Sequence, residues 1–160
     1  LVRRLVVIDI SPVSSAASQG EFQHLLSSLA NLELVVLANR AEADAALAPA
    51  VPQDTVRGFL LQNLKHRDGA FVWEPNLGLL YGELETIMAF PDMGSAQFAR
   101  PVLWIGGDRS DYISDEDVPA MRALFPKTRR MTIRGAGHWV HSEKPEEVVT
   151  ALRSFLIPAE

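Results

Sequence analysis

The sequence has 160 residues, 48% hydrophobic and 22% charged, which is long enough and apolar enough for a compact domain with a real core. Fifteen Lys and Arg against 20 Asp and Glu leave a formal charge of −5 with no basic run, so nucleic acid and anionic membranes are poor partners. The absence of cysteine excludes disulfides, thiolate metal sites and a cysteine nucleophile, and no apolar run approaches the ~18 residues that a membrane span needs.

The chain opens without an initiator Met: Leu1-Val2-Arg3-Arg4-Leu5 leads directly into Leu5-Val6-Val7-Ile8-Asp9-Ile10, a short run rich in β-branched residues. Such a run predicts a strand buried on both faces, as in a parallel sheet, stopped by Ser11-Pro12. A strand entered this abruptly reads as the middle of a domain, and the expectation is a fragment of a longer fold.

From Pro12 to Arg100 the pattern turns helical. Phe22, Leu25, Leu26 and Leu29 have helical spacing, as do Val56, Phe59, Leu60 and Leu64. Ala41 to Leu47 reads as a short helix, Phe71-Val72-Trp73 as a brief extended piece, and Leu77 to Phe90 as helix again. Strand grammar then returns. Val102-Leu103-Trp104-Ile105 follows Pro101 and ends at Gly106-Gly107, and Met131-Thr132-Ile133 ends at Gly135-Ala136-Gly137. Each is followed by a helical pattern, the first through Val118, Met121 and Phe125. The second starts at Pro145 and carries Glu146 and Glu147 in its first turn. Strand–helix–strand–helix implies an α/β fold with a parallel sheet and covering helices. The chain accordingly divides into a core strand and acid loop at 1–13, a helical insertion at 14–98, and C-terminal core strands and helices at 99–160.

In an open parallel sheet, ligands bind beyond the carboxyl ends of the strands. Three polar groups fall there: Asp9, the stretch Asp108-Arg109-Ser110-Asp111, and His138 in Gly135-Ala136-Gly137-His138-Trp139. A carboxylate closing an apolar strand is costly unless hydrogen-bonded, and glycines before His138 let the backbone turn sharply over the sheet. His138 and His141 have a His-x-x-His spacing, but no further ligand cluster supports a metal, and none is expected. His24 and His66 read as surface residues of the insertion.

Gly135 to Glu146, Gly-Ala-Gly-His-Trp-Val-His-Ser-Glu-Lys-Pro-Glu, resembles the catalytic-histidine segment of α/β-hydrolases, and more narrowly the YbfF-type esterases and ABHD11-like hydrolases. Leu5 to Pro12, Pro101 to Gly107 and Ser110-Asp111-Tyr112-Ile113 fit the same group. The resemblance runs from the first residue to about Leu156 and implies the C-terminal part of an α/β-hydrolase fold with an inserted helical cap. It also implies ester hydrolysis by a Ser-His-acid triad, without a cofactor. The serine of that triad sits on a Gly-x-Ser-x-Gly elbow, and no such motif occurs here. The nucleophile is therefore expected outside this chain, in an N-terminal half that would complement it covalently or non-covalently. A non-catalytic fragment is the alternative.

Most members of the fold place the acid three residues beyond the glycine of the penultimate strand, which here is Ser110. In the resembled esterases the acid follows the preceding strand and a serine takes the later site. That implies Asp9 as the acid, with Ser110 hydrogen-bonding the same imidazole. Asp111 is the rival and Asp108 a loop carboxylate, while Asp9 as a simple turn-former stays open. Trp139, Phe71 and Trp73 are candidates for lining a substrate pocket, with ordinary packing the competing reading of each. The expected substrate is a small-molecule ester and the expected compartment the cytoplasm.

Overall fold

The computed structural model describes residues 2–14 and 16–157, leaving Leu1 of the opening apolar run and the last three residues of the 99–160 segment outside the described residues. The chain divides into two compact units, residues 1–14 with 90–160 and residues 15–89.

In the first unit, strand β1 (Leu5–Ile8) pairs in parallel with β4 (Val102–Gly107), Leu5 opposite Val102 and Ile8 opposite Ile105. β4 in turn pairs in parallel with β5 (Thr128–Ile133), giving the order β1-β4-β5. Side chains alternate across a strand, and here the alternation feeds two cores. Leu103 and Ile105 face Ile133, Ala136, Val140, Val148 and Ala151, with Val6 and Ile8 packed alongside. Val102 and Trp104 face Met121, with Leu5, Val7, Phe98 and Phe125 around them. Helix α8 (Pro145–Leu156) covers one face through Val148 and Ala151, and α6 (Val118–Leu124) the other through Met121. Pro119 and Pro145 sit in the first turns of these helices, where a missing N–H costs nothing.

β4 is buried on both faces because it is central. β1 was expected to be equally buried but is only half-buried, since among the described residues it lies at a sheet edge. It stops at Ile8, two residues early, because Asp9 turns into the left-handed region at φ 51°. β5 starts at Thr128, three residues before the apolar signal, and its middle is exposed, so hydrophobicity announces only its end. Ser14 and Phe90 border the second unit, and the Ser14 hydroxyl accepts the Phe90 N–H at 3.0 Å.

The second unit contains α1 (Ala16–Ala30), α2 (Arg40–Leu47), α3 (Asp54–Leu60), a hairpin of β2 (Leu64–Arg67) and β3 (Ala70–Trp73), then α4 (Leu77–Gly82) and α5 (Leu84–Met88). Asn39 caps α2 by accepting the Glu42 N–H at 3.0 Å, while the Glu42 carboxylate accepts the Ala38 N–H at 2.8 Å, a reciprocal N-terminal box. Asn76 caps α4 by accepting the Leu79 N–H at 3.0 Å. Helical spacing through Leu64 was misleading: α3 ends at Leu60, and Leu64 opens a strand instead. Asp68-Gly69 is what turns the hairpin, with φ 50° and 84° at its two residues, as a two-residue type I′ loop requires. Leu77 to Phe90 is two short helices broken at Glu83.

Leu29, Ala43, Leu47, Leu61, Leu64 and Leu77 form this unit's own core. Arg57 is buried beside it, bonded to Asp44 and to the Val51 and Pro52 carbonyls; the Asp44 hydrogen bond raises its guanidinium above the ordinary arginine value. Among the described residues no helix is long and apolar enough to cross a membrane.

Candidate active site

The three strands end on one side of the sheet, and their following loops carry Asp9, Ser110 and His138. Asp9 is 1% exposed, and all three donors around it are accounted for. The Gly107 N–H reaches Oδ1 at 3.0 Å, while the Ser110 hydroxyl and His138 Nδ1 both reach Oδ2, the imidazole at 2.9 Å. The carboxylate as acceptor fixes the imidazole tautomer: Nδ1 carries the proton and donates it. Nε2 is then the ring's proton acceptor, on a side chain 41% exposed. Three donors hold the buried Asp9 carboxyl group in one orientation, so it can in turn fix the orientation of the imidazole.

Each loop has a local cause. The left-handed turn at Asp9 is held by its own N–H to the Ile105 carbonyl at 2.8 Å, and just beyond it Trp104 Nε1 donates to the Ile10 carbonyl at 2.5 Å. Gly106 and Gly107 let the second loop pass close by. A Cβ on Gly107 would lie 2.3 Å from the Ala136 carbonyl oxygen, and one on Gly106 3.2 Å from Asp9 Oδ1. Gly135 turns the third loop at φ 70°.

The second and third loops are bound to one another. Asp108 Oδ1 accepts the Gly135 N–H at 2.7 Å, the Arg109 N–H donates to Ala136 O at 3.0 Å, and Arg109 Nη2 lies 3.3 Å from Glu143 Oε2. Glu143 receives the Gly137 N–H with both oxygens at 3.2 Å, directly before His138.

Of the sequence candidates, the fold brings together Asp9, Ser110 and His138. Ser110 was expected to bond the imidazole; its hydroxyl donates to the Asp9 carboxylate instead, because the ring's Nδ1 is already directed at the same oxygen. Asp111 is exposed, and Asp108 is engaged with the histidine loop rather than the ring. Trp139 is half-buried with its ring beside His141. Phe71 and Trp73 pack on the core of the 15–89 unit, where Trp73 Nε1 donates to the Leu29 carbonyl at 3.1 Å. His24 and His66 are exposed.

Tyr112 was not singled out by the sequence, yet its ring stacks on His138 at 3.8 Å and 20°. Glu143 was missed as well, since a loop clamp leaves no spacing rule to find it. A cavity of about 220 Å³ opens beside Ser110, bounded by Gly106, Gly107, Ile113 and Met131; it is small for a substrate site. Among the described residues no three His, Asp or Glu side chains converge as a metal site would require.

Comparison with known proteins gives a consistent picture. The chain is 35% identical over 160 residues to the sn-1-specific diacylglycerol lipase ABHD11 of Xenopus laevis, covering 98% of this chain and 51% of that protein. It is 30% identical over 155 residues to esterase YbfF of Escherichia coli, covering 97% of this chain and 58% of the relative. The solved structure of a marine microorganism esterase superposes with a TM-score of 0.89 at 27% identity, over 96% of this chain and 60% of that one.

The chain is a homologue of these α/β-hydrolases.

Its parallel strands and flanking helices are part of the α/β-hydrolase fold, and an E-2-(acetamidomethylene)succinate hydrolase shares that fold at a TM-score of 0.72 and 20% identity. No protein-family model matches the chain. The chain spans about half the length of the curated relatives it matches, 51% and 58% of the two above.

Proposed function

We propose that this chain supplies the histidine and acid of a Ser-His-Asp carboxylic ester hydrolase whose serine lies outside it. The observation that carries this reading is the contact of His138 Nδ1 with the buried Asp9 carboxylate at 2.9 Å, at the carboxyl ends of parallel strands. The esterase and lipase relatives support the reaction class.

In the proposed reaction Nε2 of His138 takes the proton of the serine hydroxyl as its oxygen attacks the ester carbonyl. The same nitrogen then returns the proton to the departing alkoxide, leaving an acyl-serine and a free alcohol. Water repeats the sequence on the acyl-serine and releases the acid. Asp9 holds the Nδ1–H tautomer and stabilises the imidazolium, while Ser110 and the Gly107 amide hold Asp9. The 15–89 unit is the proposed cap. The ester substrate is a small molecule, and diacylglycerol, named for one relative, belongs to the classes to be tried.

In a protein that includes the serine segment, His138→Ala is expected to abolish turnover, and Asp9→Asn to lower kcat about 10⁴-fold by disturbing the tautomer. Full activity in Asp9→Asn with loss in Asp111→Asn overturns the assignment of the acid.

A second reading, a non-catalytic fragment, is favoured by one observation: the sequence has no Gly-x-Ser-x-Gly. A fluorophosphonate probe followed by intact mass separates the two. Labelling of a larger species or of a co-purifying companion supports the hydrolase. An unlabelled 17.6 kDa chain as the sole species supports the fragment.

A further inference from the structure

Strand β1, strand β4 and strand β5 begin together at the end of the sheet opposite Asp9 and His138, about 15 Å away by strand rise. A cavity of about 400 Å³ opens there, lined by Arg4, Pro101, Lys127, Thr128, Arg129 and Ser154, with Phe155 at its side. Among the described residues three cations line it and no carboxylate does.

Acids outnumber bases 20 to 15 in this chain, yet among the described residues none of the acids lines this cavity. Among the described residues Arg4, Lys127 and Arg129 form no ion pair, although they share one cavity. Arg4 is nevertheless held in place. Its Nη1 donates to the Phe155 carbonyl, and its guanidinium lies 5.6 Å from the centroid of the Phe155 ring. Like charges gathered without a counterion repel one another, and a bound anion removes that repulsion while using the free donors.

We infer that this cavity binds a phosphate-class anion. Arg4 is the ordered anchor, with the guanidinium fork that matches phosphate oxygens; Lys127 and Arg129 supply charge from the β5 side, and the Ser154 hydroxyl supplies a neutral donor. The inference is independent of the hydrolytic reading, because the cavity shares no residue with the Asp9–His138 site. The sequence gives no hint of it: Arg4 is separated by more than a hundred positions from Lys127 and Arg129, and only the parallel pairing of the strands collects them.

The test is equilibrium dialysis of the 160-residue chain against radiolabelled inorganic pyrophosphate at low salt. Cosedimentation with phosphatidylcholine vesicles, with and without phosphatidate, forms the second arm. Saturable pyrophosphate binding, weakened at least tenfold in Lys127→Gln/Arg129→Gln and unchanged in Lys65→Gln/Arg67→Gln, is the expected result. The two double variants alter net charge equally, and all four side chains are exposed or half-buried, so each variant keeps the fold, as far-UV dichroism checks. Binding of phosphatidate vesicles with no binding of pyrophosphate, lost in the same cavity variant, assigns the phosphate to a lipid headgroup; pyrophosphate binding alone assigns it to a soluble ligand. Failure of both probes overturns the inference, and so does an equal loss in the two double variants.

Discussion

Asp9 shows how one residue's geometry is determined from several directions. An aspartate at φ 51° costs on the order of 1–3 kcal/mol and persists where the surroundings over-determine it. Here the surroundings are the Gly107 amide, the Ser110 hydroxyl, the His138 ring and the Asp9 N–H bond to Ile105. Ser110 contributes one charge-assisted bond, so Ser110→Ala is expected to cost about 1.5–3 kcal/mol in support of the carboxylate. In a serine-bearing protein this is read as a kcat lowered ten- to a hundredfold with little change in KM; a change confined to KM would place Ser110 in substrate binding instead. Gly107 is constrained by space rather than by dihedral angle. Its Cβ would meet the Ala136 carbonyl oxygen at 2.3 Å, and backbone cannot rotate away as a side chain can. Gly107→Ala is therefore expected to destabilise the chain by about 1–3 kcal/mol or more, measured by urea unfolding. A variant as stable as the parent would show that the two loops are not in this contact.

Among the elements, the loops after β4 and β5 behave as one piece. Asp108, Arg109 and Glu143 bind the Gly135, Ala136 and Gly137 backbone, so the position of His138 depends on side chains from a neighbouring loop and from α7 (Val140–Glu143). Glu143→Ala leaves the Gly137 N–H without its acceptor. Its amide exchange is expected to speed up, while amides of β4 stay protected, and equal exchange in parent and variant would remove Glu143 from any positioning role. The hairpin of the 15–89 unit illustrates a competing signal at the same scale. Apolar spacing through Val56, Phe59, Leu60 and Leu64 fits a helix, yet Asp68-Gly69 four residues later fixes a turn that can only join two strands.

For the molecule as a whole, the edge of β1 matters most. The Leu5 and Asp9 N–H groups are directed at β4, to the Pro101 and Ile105 carbonyls. Alternation therefore turns those of Val6 and Ile8 outward, where no strand pairs with them among the described residues. The 160-residue chain is expected to self-associate with rising concentration, as seen by sedimentation velocity. A monodisperse, cooperatively melting monomer throughout would contradict this. The two units carry separate cores, Leu103, Ile105 and their neighbours in one and Leu29, Leu47 and Leu64 in the other. Each therefore has its own hydrophobic reason to fold.

The sequence by itself determined the parallel strands at Leu5, Val102 and Met131, the helices at Val118 and Pro145, and the helical character of residues 16–60. These depend on local periodicity and punctuation, which one segment carries alone. It also marked Asp9 and His138, because polar residues at the ends of apolar strands have few inexpensive places to go, while Ser110 stood out within its loop only through the resemblance to the YbfF-type esterases. It left open which carboxylate meets the imidazole, and only the tertiary structure decided between Asp9 and Asp111, since that depends on the order β1-β4-β5 and on a left-handed turn. The stacking of Tyr112, the Glu143 clamp and the cationic cavity were equally beyond sequence reading. Each joins residues whose proximity comes from strand pairing and loop contact, and neither leaves a period or spacing along the chain.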